Sequence, residues 1–439
     1  MSTSSDNFHS MNLPSTLLQT LDSLNYTKPT PIQTQTIPIA LSNFDILGSA
    51  QTGTGKTLAF TIPLIAHLLN NPNGSALILT PTRELAQQVV SVVKKLLGFK
   101  STIKSTLLIG GEPVFKQLSQ LKSNPKIIVG TPGRVIDHLL RKTLKPTFSF
   151  LVLDETDRMF DMGFGIQLEK IISQLPKLRQ TLMFSATLPT NIEKLAAKYL
   201  HQPKRISIDP VVTFVAKLKE ETIKVKESEK FATLLEQIEN RAGTIIIFVK
   251  TKHGADHLAN DLSKKNHAAS AMHGDLKQSK RYRVMNDFRN GRCQIMVATD
   301  IAARGLDVPH IQHVINYDLP NCPEDYIHRV GRTARAGAEG SALNLVSAAD
   351  QSKWYAIQRF ISPEKYPARS SSGTRTTNNY RDRDPRDNKF GAKKKRYGSS
   401  NTNTTNNNKG FGFDKFDRKE KYSNNKFKAK PNYTKEAVR

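Results

Sequence analysis

The chain of 439 residues carries a formal net charge of +27, an isoelectric point near 9.9 and 38% hydrophobic residues. That hydrophobic share supplies buried cores, no run approaches the roughly 18 consecutive apolar residues of a membrane span, and the cationic excess points to a polyanionic partner, nucleic acid first of all. The polar stretch Met1 to Asn12 lacks the basic-then-apolar layout of a signal peptide, and Cys293 and Cys322 have no ligand-like neighbours. We therefore expect a soluble intracellular protein with two reduced thiols and no structural zinc or membrane partner.

In chain order, Phe8 to Gln33 comes first, where Leu17, Leu21 and Leu24 suit a short amphipathic helix that Pro29 and Pro31 stop. An aromatic ring and a carboxamide at its two ends could sandwich and hydrogen-bond a base, although Phe8 alone suits a core position better. Asp45 to Leu47 reads as a strand, and Ser49-Ala50-Gln51-Thr52-Gly53-Thr54-Gly55-Lys56-Thr57 leads from it into the apolar helical run Leu58 to Leu69. A glycine-rich turn between strand and helix gathers backbone N–H groups and the positive end of the helix dipole around a phosphate. Lys56 is expected on the β- and γ-phosphates and the Thr57 hydroxyl on a bridging Mg2+. Ala50 departs from the generic pattern, which has a glycine there.

Strand-like runs recur at Ala76 to Thr80, Ser105 to Ile109, Lys126 to Val129, Phe150 to Leu153 and Thr181 to Phe184, with a helix over Arg83 to Phe99. They are continuously apolar, as in parallel strands covered on both faces. After a polar region near Asp209 to Glu229, a second series follows at Thr244 to Val249, Ala268 to Met272, Gln294 to Ala298, His313 to Tyr317 and Ala342 to Val346, with helices such as His253 to Lys265 and Gln278 to Arg289. The fold class is thus α/β, with two parallel-sheet units in tandem. Beyond about Tyr366 no periodic apolar stripe remains. Arg369 to Arg439 holds 20 Lys/Arg against 7 Asp/Glu, a net +13, and reads as a disordered basic tail whose scattered rings suit stacking on unpaired bases. Expected boundaries are 1–208 for the first domain, 209–229 for a linker and the start of the second, 230–365 for the second, and 366–439 for the tail.

Directly after the strand Phe150 to Leu153 comes Asp154-Glu155-Thr156-Asp157. A carboxylate at a buried strand's end can hold Mg2+ and its neighbour can orient or deprotonate an attacking water, so Asp154 is assigned to the metal and Glu155 to the water. Ser185 and Thr187, at the end of the next strand, could hydrogen-bond to Asp157 and couple the site to the rest of the molecule. In the second unit, Arg332 and Arg335 of HRVGRTAR lie three apart, on one face if helical. Planar guanidinium groups suit a transferring phosphoryl group, and the first unit has no evident arginine of that kind.

These motifs together resemble the DEAD-box ATP-dependent RNA helicases of superfamily 2, over about Phe8 to Phe360. In order they are YTKPTPIQ ending at Gln33, AQTGTGKT from Ala50, PTREL from Pro81, Gly110-Gly111, TPGR from Thr131, DETD from Asp154, SAT from Ser185, IIIFV from Ile245, HGDLKQSKR from His273, ATDIAARGLDVP from Ala298 and HRVGRTAR from His328. The family's form of the phosphate loop accounts for Ala50. The resemblance implies two RecA-like domains with ATP between them: Phe8 stacked on adenine and Gln33 reading its edge, the loop from Ala50 to Thr57 on the phosphates, Asp307 near the ribose, and Arg332 with Arg335 from across the cleft. It also implies RNA along Pro81, Thr82, Arg83, Gly111, Thr131, Gly133 and Arg134 in the first domain and Gln278, Arg281 and Thr299 in the second, with little sequence preference.

Thr156 replaces the alanine of the name motif, Ala334 stands where glycine is commoner, and so does Asn25. The short core with a basic tail is most similar to bacterial members of the RhlE type. The implied activity is RNA-stimulated ATP hydrolysis coupled to local, non-processive duplex unwinding, with ATP and Mg2+, in the bacterial cytoplasm, by a monomeric core; the alternative is an ATP-gated RNA clamp with little unwinding. Ribosomal and RNA-decay complexes are the candidate partners.

Overall fold

The computed structural model describes residues 7–50, 53–208, 218–303, 311–334, 340–362 and 365–366. The expected basic tail therefore lies, beyond Tyr366, outside the described residues. The described elements begin with α1 (Ser15–Ser23), α2 (Pro31–Leu41), β1 (Ile46–Ser49), α3 (Lys56–Asn70), β2 (Ala76–Leu79), α4 (Arg83–Leu97), β3 (Ser105–Leu108), α5 (Val114–Lys122), β4 (Ile127–Gly130), α6 (Pro132–Leu140), β5 (Phe150–Leu153), α7 (Thr156–Asp161), α8 (Gly165–Ile172), β6 (Gln180–Ser185), α9 (Thr190–Tyr199) and β7 (Lys204–Ser207). Then follow β8 (Leu218–Lys224), α10 (Lys230–Glu239), β9 (Ile245–Phe248), α11 (Lys252–Lys264), β10 (Ala269–Met272), α12 (Gln278–Arg289), β11 (Ile295–Ala298), α13 (Asp300–Ala303), β12 (His313–Asn316), α14 (Pro323–Val330), β13 (Gly340–Val346) and α15 (Gln351–Ile361).

Among the described residues the strands form a seven-stranded sheet, β3-β4-β2-β5-β6-β1-β7, and a six-stranded sheet, β10-β11-β9-β12-β13-β8. Every pairing is parallel, for example Ile46 opposite Leu182 and Ile245 opposite Ile295. The central strands are apolar on both faces because helices cover both. Ile46, Ile78, Val129 and Val152 enter one cluster, while Leu47, Leu77, Ile128 and Leu151 enter another on the opposite face. The second sheet is filled the same way, with Ile246 and Met296 on one side and Ile245 and Ile247 on the other.

The edges differ from the centre. β7 reads KRIS and β8 reads LKEETIK; both are largely exposed and charged, and neither was legible as a strand. Lysine and glutamate on an edge strand disfavour further pairing with another chain. Asn25 and Ala334, which stand where the family often has glycine, have φ of 59° and 52°. That is the left-handed region, which asparagine tolerates and alanine occupies at a cost of roughly 1 kcal/mol, so the glycine preference there has a backbone cause.

Candidate nucleotide and RNA sites

In a parallel α/β sheet, the loops at the carboxyl ends of the strands converge and make the site. β1 ends there and the chain turns at Gly53 and Gly55, with φ of 86° and 94°. At Gly55 a Cβ would lie 2.5 Å from Gln33 Nε2 and 2.8 Å from Thr30 Oγ1, so a side chain has neither the conformation nor the space. Lys56 opens α3; its buried ammonium donates to Ala50 O at 2.8 Å, across the mouth of the loop. Thr57 follows, half-buried, in the first turn of α3. Gln51 and Thr52 lie outside the described residues.

The segment before the loop braces it. Thr30 N donates to Gln33 Oε1 at 2.9 Å, Gln33 Nε2 donates to Gly55 O at 3.0 Å, and Thr30 Oγ1 donates to Thr54 O at 2.8 Å. Both ends of the Gln33 carboxamide are thus engaged by backbone, where the resemblance implied that it reads a base. Phe8 sits in a short 3-10 helix, 2% exposed, in the cluster of Met11, Leu13 and Leu17. The ring is thus packed in the core, the position that Phe8 taken alone suits, where the resemblance implied a face for adenine.

β5 delivers the acids. Asp154, at 3% exposure, keeps Oδ1 buried without a hydrogen-bond partner. Burial pushes its carboxyl up to about 7, against the opposing charge of Lys56 and with help from Glu155. Glu155 is buried and holds φ 51°, ψ 53°, a left-handed conformation rare outside functional sites. Thr156 Oγ1 donates to Phe184 O at 3.1 Å, tying this turn to β6. Asp157 is fully engaged: Oδ2 accepts from Ala186 N at 3.1 Å, Thr187 N at 3.0 Å and Thr187 Oγ1 at 3.2 Å, and Asp157 N donates to Ser185 Oγ at 3.3 Å. The link from Asp157 to Ser185 and Thr187 expected from the sequence is present.

A second cleft, of about 490 Å3, is lined by Pro81, Thr82, Arg83, Thr131, Gly133 and Arg134 from the first domain and by Arg281 from the second. Seven of the ten residues expected on RNA meet there. Two others stand at the junction between the domains: a Cβ on Gly111 (φ 81°) would lie 2.4 Å from Arg83 Nη1 and 3.3 Å from Gln278 Cβ. Thr299 is buried beyond β11, its N donating to Met272 O. Arg83 Nη1 donates to Gln278 Oε1 at 3.0 Å, while Glu84 Oε1 accepts from Arg281 Nε at 2.9 Å and Gln278 Nε2 at 3.2 Å. Burial, then the nearby Arg281 charge, lowers the Arg83 guanidinium below its ordinary value.

Sequence reasoning missed the partners in this junction. Glu84 was quoted within PTREL but given no role, although a buried carboxylate beside expected RNA-binding cations is a signal of pairing. Arg158, the residue after the acids, is 3% exposed and bridges to Asp325 Oδ1 in the second domain at 2.5 Å. Burial works against its cation, but Asp325 and Asp157 outweigh that and hold it above its ordinary value. α14 ends at Val330 with Gly331 as its cap, so Arg332 stands beyond the helix; it is buried in the following turn, its Nε donating to His328 O at 3.2 Å. Arg335 and Asp307 lie outside the described residues.

Two family descriptions match the chain: "DEAD/DEAH box helicase" over residues 30–195 and "Helicase conserved C-terminal domain" over residues 229–337. The chain is 41% identical over 355 residues to the DEAD-box ATP-dependent RNA helicase CshA of Bacillus subtilis (strain 168), covering 80% of this chain and 72% of that one. It is 40% identical to the CshA of Geobacillus kaustophilus (strain HTA426), covering 80% and 76%. The name CshA does not support the RhlE type expected from the sequence. In structure it is similar to S. cerevisiae Dbp5 bound to RNA and ADP BeF3, with a TM-score of 0.73, 33% identity and coverage of 81% of this chain and 94% of that one. It is also similar to Mss116p bound to ssRNA and AMP-PNP, with a TM-score of 0.74, 28% identity and coverage of 83% and 79%. The two RecA-like sheets, the phosphate turn of the first and the cleft that both domains line agree with those matches, and the chain belongs to the DEAD-box ATP-dependent RNA helicases.

Proposed function

We propose that this chain hydrolyses ATP in response to RNA by bringing its two domains together on both ligands, and so pulls short RNA duplexes apart locally. The observation that carries the proposal is the composition of the junction. Arg83, Gln278 and Arg281, residues expected on RNA, also take part in joining the domains, so a strand in the cleft bears directly on how the domains meet. ATP and RNA that each favour the joined arrangement raise one another's affinity.

In this reading the loop from Ala50 to Thr57 cradles the phosphates, and Lys56 exchanges Ala50 O for phosphate oxygen. Thr57 and Asp154 would hold Mg2+, for which the unpartnered Asp154 Oδ1 is suited; bound there, the cation would neutralise phosphate charge. Glu155 orients the attacking water and takes its proton. Arg332 and Arg335 stabilise the charge on the transferring phosphoryl group from the second domain, and Asp307 approaches the ribose. Gln33 acts through Gly55 O, so base contact and loop geometry are linked. Asp157, Ser185 and Thr187 pass the state of the acids to β6.

RNA lies along Pro81, Thr82, Arg83, Gly111, Thr131, Gly133 and Arg134 and along Gln278, Arg281 and Thr299. The tail from 366 anchors the core on structured RNA by charge, and the working form is a monomeric core in the bacterial cytoplasm, acting on ribosomal or RNA-decay complexes. Among the described residues no helix is long and apolar enough to cross a membrane. The test is Arg335→Ala, with RNA-stimulated ATP turnover and displacement of a short RNA duplex measured together. Both are expected to fall at least tenfold; an unchanged turnover would remove the cross-domain arginine from the scheme.

A further inference from the structure

α3 and α4 each begin in the machinery, at Lys56 and at Arg83, and each runs 15 residues away from it. Their far ends and α1 enclose an open groove of about 580 Å3. Its floor is formed by Leu17, Ile65 and Leu96, which are buried in the core, and its rim carries Leu69, 40% exposed, and the wholly exposed Phe99. Gly98 ends α4 at φ 68° and Phe99 follows it out of the helix. Exposed large apolar side chains beside a preformed apolar floor are a usual mark of a protein contact.

The charges around the groove select among occupants. Lys100 is the one ionisable side chain in its lining, and Lys94, Lys95 and Lys104 are exposed in the flanking chain, which holds no acid from residue 94 to residue 104. Asp22, at the end of α1, is engaged by His9 at 3.1 Å. The protein's own tail, with its net +13 over Arg369 to Arg439, would be repelled. A second copy meeting this face symmetrically would set the lysines against themselves. RNA would find an aliphatic floor with a single ring.

We propose that this groove docks an acidic segment of another protein that inserts large apolar side chains between α1, α3 and α4. Its position leaves the nucleotide and RNA clefts open, so the partner can stay bound through a cycle of ATP turnover. It also grips the far ends of the two helices whose first residues serve those clefts.

The probe is a short labelled amphipathic peptide with Leu and Phe at i, i+3, i+4 and i+7 and glutamate elsewhere, titrated into the full chain by fluorescence anisotropy. A lysine version of the same peptide, a peptide of residues 409–430 and a single-stranded RNA are titrated in parallel. The glutamate peptide is expected to bind, and Phe99→Ser, Leu69→Asp and Lys100→Glu to weaken it by about tenfold each, with RNA-stimulated ATP turnover and the melting temperature unchanged. The proposal is overturned if the glutamate peptide fails to bind, if the lysine version binds as well, or if the three substitutions leave its affinity intact. It is equally overturned if the tail peptide or the RNA binds in a Phe99-dependent way, or if Phe99→Ser turns a dimer into a monomer.

Discussion

The two domains use the same parallel architecture but treat their buried charges differently. In the second, Arg329 is 2% exposed and every side of its guanidinium is used: Nε and Nη2 donate to Asp300 at 2.6 and 2.8 Å, Nη1 donates to Asn316 Oδ1 and Asp318 O, and the group lies 4.8 Å over the ring of Phe248. Lys230 is likewise ringed by Glu227, Asp350 and Asp318, and Tyr326 donates to Glu220. In the first domain, Asp154 Oδ1 and Arg158 Nη2 are buried without a partner. A satisfied polar network stiffens a domain, whereas an unsatisfied buried group costs free energy until a ligand answers it. The second domain also keeps ring nitrogens of His273 and His328 without a hydrogen-bond partner, so the contrast lies in the charged groups: those of the Arg329 and Lys230 networks are answered within the domain, and those beside the phosphate turn are answered only in part.

That contrast can be broken in four places. The largest effect is expected from Arg329→Ala, which strands Asp300 and Asn316 inside the second domain and should cost about 3–5 kcal/mol. Trp354, the single tryptophan, packs against Tyr326 at a ring distance of 5.9 Å and reports that domain's unfolding in denaturant. A loss below about 1 kcal/mol would mean that the network does little to hold the domain together. Arg158→Ala should act differently, sparing each domain's stability while reducing by about tenfold the mutual enhancement of RNA and AMP-PNP binding. If coupling persists, the bridge to Asp325 is a bystander.

Thr156→Val removes the hydroxyl bridge from the acidic turn to Phe184 O while keeping the side chain's shape. We expect a loss of about 1 kcal/mol in the stability of the first domain and a parallel drop in turnover; wild-type stability and turnover would show the bridge to be idle. The smallest effect concerns pH. His138 is buried, with Nδ1 2.8 Å from Thr143 Oγ1 and Nε2 3.1 Å from Gln117 Oε1, and burial, then the charge of Arg134, lowers it below its ordinary value of 6.5. The unfolded chain takes up this proton first as the pH falls, so the contribution of neutral His138 is full above 6.5 and is lost progressively below it. Melting of the first domain between pH 7.5 and 5.5 should shift by less than about 1 kcal/mol on this account, and His138→Gln should flatten the shift; an unflattened slope assigns it to other groups.

Much of the architecture was legible because it follows from local pattern. The central strands are continuously apolar, which only a doubly covered parallel strand requires, and Gln278–Arg289 is a helix over the expected residues. The edge strands β7 and β8 were not legible, since a strand with one neighbour and exposed faces carries lysine and glutamate like any loop. Among the site residues, Gly55 could be named from its motif, but the reason no side chain fits there, the carboxamide of Gln33, comes from a segment 22 residues upstream. For Phe8, likewise, the motif names the ring but not its packing against Met11, Leu13 and Leu17.

The amino-acid order alone determined the tandem α/β plan, the phosphate turn, the acids at the end of β5 and the basic tail, because each depends on spacing within a few residues or on composition. Tertiary structure alone decided which charges are answered and by whom: Glu84 meets Arg281, Arg158 meets Asp325, and Asp154 keeps one oxygen unpaired. The physical reason is range. Backbone conformation and hydrophobic period are set by near neighbours, whereas the free energy of a buried charge depends on every group that folding brings within a few ångströms of it, from either domain.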